Sequence, residues 1–336
     1  MALTSNGSFI PTTNAFLAHW ALADAALGVP APLVLPAEPG VIPSGFARAG
    51  LVTLRDTLQA DLDSVQDKLN DLQIASGALE LLKTKMYKRL VLFLEVVDGF
   101  YVSTEYYRAR PEASGIGAGE EKFVAPLRDA KSLWAKLNAS LAPSGLAVPV
   151  VLNEGTAGAA LNVPLSVFTA DLDVLKQRYE ARAVAEQGVR LARSKRDVTM
   201  HTIRAVLVSY RAVAAQRLTA QTALLEILPR VSPLPGHTPD AVSIAAVFVA
   251  PDIAQVTHGE SADADFKEYQ LRGTIGEDGN LEDTVVLATH AVRTPAPFST
   301  QLGLGVPGGA VSLWVYVITN DGNERASERR VVQRPG

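Results

Sequence analysis

Apolar residues recur every three or four positions along two long stretches of this chain, and every second position near its end. The first stretch carries Leu51, Leu54, Leu58, Leu62, Val65, Leu69 and Leu72. That spacing lays them on one helical face and predicts a helix from about Gly45 to Arg110, with Pro111 as its limit. The second stretch runs from Pro164 to Pro229 and holds a single glycine, Gly188. A continuous helix over 45–110 would be roughly 90 Å long at 1.5 Å per residue, beyond the usual globular range. Kinks are therefore considered at Ser76-Gly77 in the first stretch, and at Gly188 or Ser194 to Thr199 in the second. A lone glycine costs only about 1 kcal/mol in a helix, so long helices are expected in preference to hairpins.

The two stretches correspond to one another. Ala60-Asp61-Leu62-Asp63 recurs as Ala170-Asp171-Leu172-Asp173, and at the same offset Leu58, Val65, Leu69, Leu79, Phe93 and Val97 meet Phe168, Leu175, Tyr179, Val189, Ile203 and Leu207, while Lys85 meets Lys195. Upstream, a helix bearing Trp20 matches one bearing Trp134, and Pro32-Leu33-Val34-Leu35 matches Pro149-Val150-Val151-Leu152. Each copy thus reads as short helix, extended segment, loop, long helix. Two halves with one apolar face each are expected to bury those faces together in a bundle that forms the main core.

The flanking segments complete the organisation. Residues 1–13 are polar and read as an N-terminal arm, and Asn14 suits the N-cap of a helix carrying Phe16, Leu17, Trp20 and Leu27, which Gly28 and Pro30 stop. Five prolines between Val29 and Ser44 force an extended path, with Leu33, Val34 and Leu35 expected to pack inward. A glycine-rich loop from Glu112 to Gly119 leads into a helix over Glu120–Leu141, and Ser144–Val163 is the second extended segment. Residues 14–118 and 119–230 are read as two helical repeats packing as one bundle. Val231 to Pro239 is a proline-rich linker that separates two compositional regimes.

From residue 240 the period shifts to two. Val242–Val249, Phe266–Ile275, Thr284–Thr289, Phe298–Leu304, Val311–Thr319 and Glu328–Gln333 are strand candidates, and Asn320-Asp321-Gly322-Asn323 is a hairpin signal. The fold class expected is α then β: a duplicated long-helix bundle followed by a C-terminal antiparallel β-sandwich over 240–336. This last segment resembles a fibronectin type III or related immunoglobulin-like domain. The resemblance rests on Pro307-Gly308 before a strand, on Leu313 to Thr319 as the penultimate strand, and on Asp321-Gly322-Asn323 and Ser327 leading into a final strand ending at Pro335. It implies a spacer or binding surface and brings no catalytic residue.

Composition then narrows the function classes. The chain has 336 residues, of which 48% are hydrophobic and 20% charged, enough for two or three globular domains. Net charge is −4, and from His237 onward 7 Lys/Arg face 13 Asp/Glu, so the β-module is acidic while the helical part is nearly neutral. Neither carries the basic excess expected of a nucleic-acid binder. The absence of cysteine removes disulfides and thiolate chemistry. No apolar run reaches the ~18 residues of a membrane span, and the start lacks a basic region before an apolar stretch. The chain is expected to be cytoplasmic, part of an assembled or exported particle, or a mature form whose signal was removed.

Candidate chemistry is sparse. His19, His201, His237, His258 and His290 show no metal-ligand spacing, and His19 and His201 are expected at helix surfaces. Asp61 with Asp63, and Asp171 with Asp173, point to different sides of a helix. Asp263, Asp265, Asp278 and Asp283 offer the oxygens calcium takes, without the spacing of an EF-hand loop. The glycines of 112–119 form no phosphate cradle, and no serine-nucleophile motif is present. No catalytic, cofactor or metal residue is therefore assigned. The polar face of the second long helix is mixed, with Lys176, Arg178, Glu180, Arg182, Arg190, Arg193, Lys195 and Arg196, bases outnumbering acids, and reads either as a solvated face or as a dock for an acidic partner. The candidate interaction surface is Tyr101, Tyr106, Tyr107, Arg108 and Arg110, because tyrosine and arginine are enriched at interface hot spots.

These readings point to a non-enzymatic structural or assembly protein, a homo-oligomer whose helical part self-associates and displays the β-sandwich. The alternative is an adhesin or binding module whose acidic sandwich recognises a protein or glycan, with the helical part as stalk. An enzyme with its site between the helical halves is the third expectation, signalled by a closed, polar pocket lined by both repeats.

Overall fold

The computed structural model describes residues 3–28, 32–140, 149–155, 162–233 and 238–336. Long helices fill the N-terminal part and antiparallel sheets the C-terminal part. The helices are α1 (Phe9–Leu27), α2 (Arg48–Phe100), α3 (Glu105–Arg108), α4 (Glu120–Ala139), α5 (Leu165–Arg217) and α6 (Thr222–Glu226). Between α4 and α5, β1 (Val151–Asn153) pairs antiparallel with β2 (Asn162–Pro164).

Both long helices run through their glycines. α2 and α5 each span 53 residues, passing Gly77 and Gly188 without interruption. Each ends earlier than proline placement suggests. α2 stops at Phe100 because Tyr101 turns into the core, where it is 1% exposed, and Thr104 caps the Tyr101 carbonyl through its hydroxyl at 2.7 Å. α5 stops at Arg217, and the fully buried Leu218 starts a turn that folds α6 back onto the same core. α1 begins at Phe9, so Asn14 lies inside the helix and not at its cap; Pro11 is accommodated in the first turn. The segment expected to be an arm contains a 3₁₀ turn over Asn6–Ser8, and Leu3 donates from its backbone to the Val231 carbonyl.

The chain divides into two compact units, one made of 1–73 with 188–336 and the other of 74–187. Each has its own helical core, in place of the single shared core expected, and the two cores use the same parts. In the first unit α1, Leu33 and Leu35 pack with Leu51, Leu58 and Leu62 from the start of α2 and with Ile203, Leu207 and Tyr210 from the end of α5. In the second, α4, Val150 and Leu152 pack with Phe168, Leu172 and Leu175 from the start of α5 and with Phe93 and Val97 from the end of α2. Each core therefore joins the beginning of one long helix to the end of the other.

Matching residues make matching bonds. Trp20 Nε1 donates to the Leu33 carbonyl and Trp134 Nε1 to that of Val150. Four residues past each tryptophan, Asp24 Oδ1 accepts from Leu33 N and Asn138 Oδ1 from Val150 N. Each extended segment is thus held to its short helix by two bonds. Val34, expected to pack inward, is 43% exposed, because the extended backbone alternates and buries Leu33 and Leu35 instead. Most of the second segment, 141–148 and 156–161, lies outside the described residues, as do 234–237 of the proline-rich linker.

The C-terminal strands are β3 (Ile244–Val249), β4 (Ile253–His258), β5 (Phe266–Ile275), β6 (Val285–His290), β7 (Phe298–Thr300), β8 (Ala310–Thr319), β9 (Glu324–Ala326) and β10 (Arg330–Gln333). They form one sheet ordered β10-β8-β5-β6, with β9 also on β8, and another ordered β3-β4-β7. Alternation along β5 and β8 sends Tyr269, Leu271, Val311, Leu313, Val315 and Val317 into a core shared with Ile244, Ala254, Val256 and Phe298 of the second sheet. The opposite face of β8, with Ser312, Trp314, Tyr316 and Ile318, is also buried. That outer face belongs to the first unit, where Trp314, Tyr316 and Ile318 cluster with Ala326.

Candidate functional site

Among the described residues three networks hold most of the buried charge, and the buried Lys83 pairs apart from them with Glu80 at 3.1 Å. Two of the networks join the β-module to the rest of the first unit. Asp283, in the 3₁₀ turn before β6, is 2% exposed in its side chain and accepts from both Arg193 and Arg196 of α5, while its carbonyl accepts from Gln66 Nε2 of α2 at 2.7 Å. Gln66 Oε1 in turn accepts from Ile275 N at 3.4 Å. The β-module is thus docked by a two-arginine clasp, and Asp283 is committed to structure. The second network centres on Arg272 of β5, which has no exposed surface. Its guanidinium donates to Gln270 Oε1, to the Glu324 carboxylate and to Ser5 Oγ, and lies 3.9 Å over the Tyr316 ring. Burial raises the Tyr316 phenol above its ordinary pKa, against the opposing effect of the Arg272 charge.

The third network lies in the second unit. Arg89 of α2, 2% exposed, forks onto both oxygens of Glu154 at 2.6 and 2.9 Å and also reaches Asp171 of α5, which Lys85 contacts at 2.9 Å. Burial alone would lower the Arg89 pKa, but the hydrogen bonds from Glu154 and Asp171 hold it above its ordinary value. Burial would raise Asp171, and the bonds to Lys85 and Arg89 outweigh it and hold that carboxyl low. At the corresponding positions of the first unit, Thr199 donates to Asp61 at 2.7 Å. One pairing of helix start with helix end is an ion pair and the other a hydroxyl-to-carboxylate hydrogen bond.

His19 is buried, contrary to its expected surface position. Its Nε2 lies 2.8 Å from the Leu224 carbonyl and so donates, and its Nδ1 lies 2.6 Å from Tyr210 Oη. Burial, with the Asp24 charge adding to it, pushes the Tyr210 phenol far above its ordinary range. The imidazole thus ties α1, α5 and the segment after α5 together.

The tyrosine–arginine group after α2 is split by the fold. Tyr101 is buried and meets Tyr106 edge-on at 5.9 Å, and burial raises the Tyr101 phenol. Arg110 lies over the Tyr107 ring at 5.4 Å and pairs with Asp98. Tyr106 lines a shallow depression with Leu133 and Lys136, while Arg108 is exposed. Of the aspartates weighed for calcium, Asp265 is bonded to Asn320 and Asp283 is held by arginines, at opposite ends of β5. Among the described residues no group of acids and histidines is placed to hold a metal, and no helix is long and apolar enough to cross a membrane.

One surface feature of the first unit was not singled out by sequence. Along the outer side of α5, Leu191, Val198 and Val208 are 60%, 66% and 53% exposed. Val198 lines an open depression of about 630 Å³ with Arg190, Ser194 and His201, and Val208 lines a second of about 400 Å³ with Glu38 and Arg204.

No family model matches the chain, and no curated protein matches it. Among solved structures it is similar to an Fn3-like protein from Clostridium thermocellum, 19% identical over 30% of this chain and 97% of that one, with a TM-score of 0.23. It is also similar to the pectate lyase PelI from Erwinia chrysanthemi in complex with tetragalacturonic acid, 12% identical over 27% of this chain and 28% of the lyase, TM-score 0.23. A third is the spore cortex lytic enzyme SleM from Clostridium perfringens, 15% identical over 32% of this chain and 29% of the enzyme, TM-score 0.22.

Proposed function

We propose that this chain is a non-enzymatic structural protein that self-associates into a larger particle, filament or array and presents its β-module there. The observation that carries this reading is the exposed apolar line Leu191, Val198 and Val208 on α5. Apolar side chains this open on one helix favour a covering partner. The buried charges of the described residues, by contrast, are satisfied within the chain by the Asp283, Arg272 and Arg89 networks and by the Lys83–Glu80 pair, as expected of scaffolding. Light scattering after size exclusion, at several concentrations, tests it: species of several chains support the reading and a monomer throughout removes it. Tyr106, Tyr107, Arg108 and Arg110 are proposed as an additional contact, and replacement of the exposed Arg108 by alanine would then lower the assembled mass without lowering stability.

A second reading makes the β-module the binding part, recognising a protein or glycan. Its strand order supports a fibronectin type III-like module: first, second and fifth strands in one sheet, facing the fourth, third, sixth and last in the other. Binding of a ligand by the full chain, lost on substitution in the loops of the module alone, favours this reading over assembly.

A further inference from the structure

The exposed side of α5 is a stripe of mixed apolar and polar residues. Leu191, Val198 and Ala205 recur every seven residues, with Ser194, His201 and Val208 three residues after each. Its flanks are mostly basic: Arg190, Lys195 and Arg204 make no ion pair among the described residues. The acids at hand are Asp197, already engaged by Arg196 at 2.8 Å, and Glu38 on the far rim. A symmetric pairing of this stripe with the same stripe of another copy would set cation against cation, which costs affinity. The stripe therefore calls for an acidic partner.

The chain carries one of its own. The β-module is its acidic part, with 13 acids to 7 bases from His237 onward. The end of β5 at Ile275 faces Gln66 of α2, and ten residues of strand put Asp265 about 30 Å away at 3.3 Å per residue. At that outer tip the turn after β8 is tied down, since Asn320 Nδ2 and Asp321 N both donate to the Asp265 carboxylate. Glu260 and Asp321 make no ion pair among the described residues, while the nearby Arg293 guanidinium is directed to the carbonyls of Asp263 and Ala264. The chain already uses this chemistry internally, where Asp283 of the module seats on Arg193 and Arg196 of the same helix.

We infer that the α5 stripe receives the acidic tip of the β-module of a second copy, in a head-to-tail contact. Such a contact uses different patches on the two copies and so propagates into a ring or a filament. This rests on the assembly reading above and names its surfaces. Two full-length variants test it: Arg190→Glu with Arg204→Glu on the stripe, and Glu260→Lys with Asp321→Lys on the tip. All four positions lie outside the cores, and melting curves matching the parent verify folding. Wild type is expected to form species of several chains and each variant alone a monomer, by light scattering. An equimolar mixture retains one good stripe and one good tip, and is expected to stop at two chains. Variants that assemble like wild type, or a mixture that stays monomeric, overturn the contact while leaving assembly standing; a monomeric wild type overturns both.

Discussion

Asp283→Asn keeps the shape of the side chain and removes the charge that seats the β-module on α5. The carboxylate is 2% exposed and Arg196 3%, whereas Arg193 is 38% exposed. Removing one partner of a buried pair costs about 3–5 kcal/mol when the other charge is left uncompensated. Here Arg196 keeps Asp197 at 2.8 Å and Arg193 reaches solvent, so the expected cost falls to about 2 kcal/mol. In a unit of this size each kcal/mol lowers Tm by about 2–4 °C, giving a drop of about 4–8 °C. Thermal unfolding followed by circular dichroism reads the drop. Hydrogen exchange locates it, with faster exchange expected at 281–285 and 193–196 and none at Phe93 or Trp134. Repeating Asp283→Asn in an Arg196→Met background should cost less, because no buried cation is then stranded. A drop under about 1 °C, or faster exchange confined to 74–187, would refute the clasp.

Arg89→Met strands the Glu154 carboxylate, 8% exposed, while the partly exposed Asp171 keeps Lys85, and should destabilise the second unit by about 2–3 kcal/mol in urea unfolding. Because Asp171 is held below its ordinary pKa of 3.8 by Lys85 and Arg89, its contribution is complete above that value. It is lost as pH falls through the lower folded value, so acid titration of the melting temperature should lose its steepest part below pH 3.8 in Arg89→Met. Trp20→Phe and Trp134→Phe each remove an indole donor and orphan the carbonyl of Leu33 or Val150. Each should cost about 1–2 kcal/mol by urea unfolding, and a cost confined to one of them would contradict their equivalence.

Much of the fold was legible because periodicity survives in a single sequence. β5 coincides with the stretch read from alternation, and the β8–β9 turn falls on Asn320-Asp321-Gly322-Asn323. β4 and β9 went unread: Ile253–His258 mixes polar with apolar residues and follows a Pro-Asp turn, and Glu324–Ala326 is three polar or small residues. The matching of copies was visible at Trp20 and Trp134, but the way each core mixes the start of one long helix with the end of the other was not. Identical apolar spacing serves either pairing. The charge networks were opaque for a different reason: Arg193 and Asp283 are 90 positions apart, and no local pattern distinguishes an acid held by two arginines from one in water. The α5 stripe was hidden by its neighbours, since Leu191 and Val198 share the helix with the buried Val189, Ala192 and Met200, and only the fold decides which set is covered.

Self-association is the claim on which the rest depends, and the mass of the purified full chain measured by light scattering across a wide concentration range tests it most directly. The account predicts species of several chains that grow with concentration and shrink as salt screens the arginine–carboxylate contacts. A 35.7 kDa particle at every concentration would contradict it.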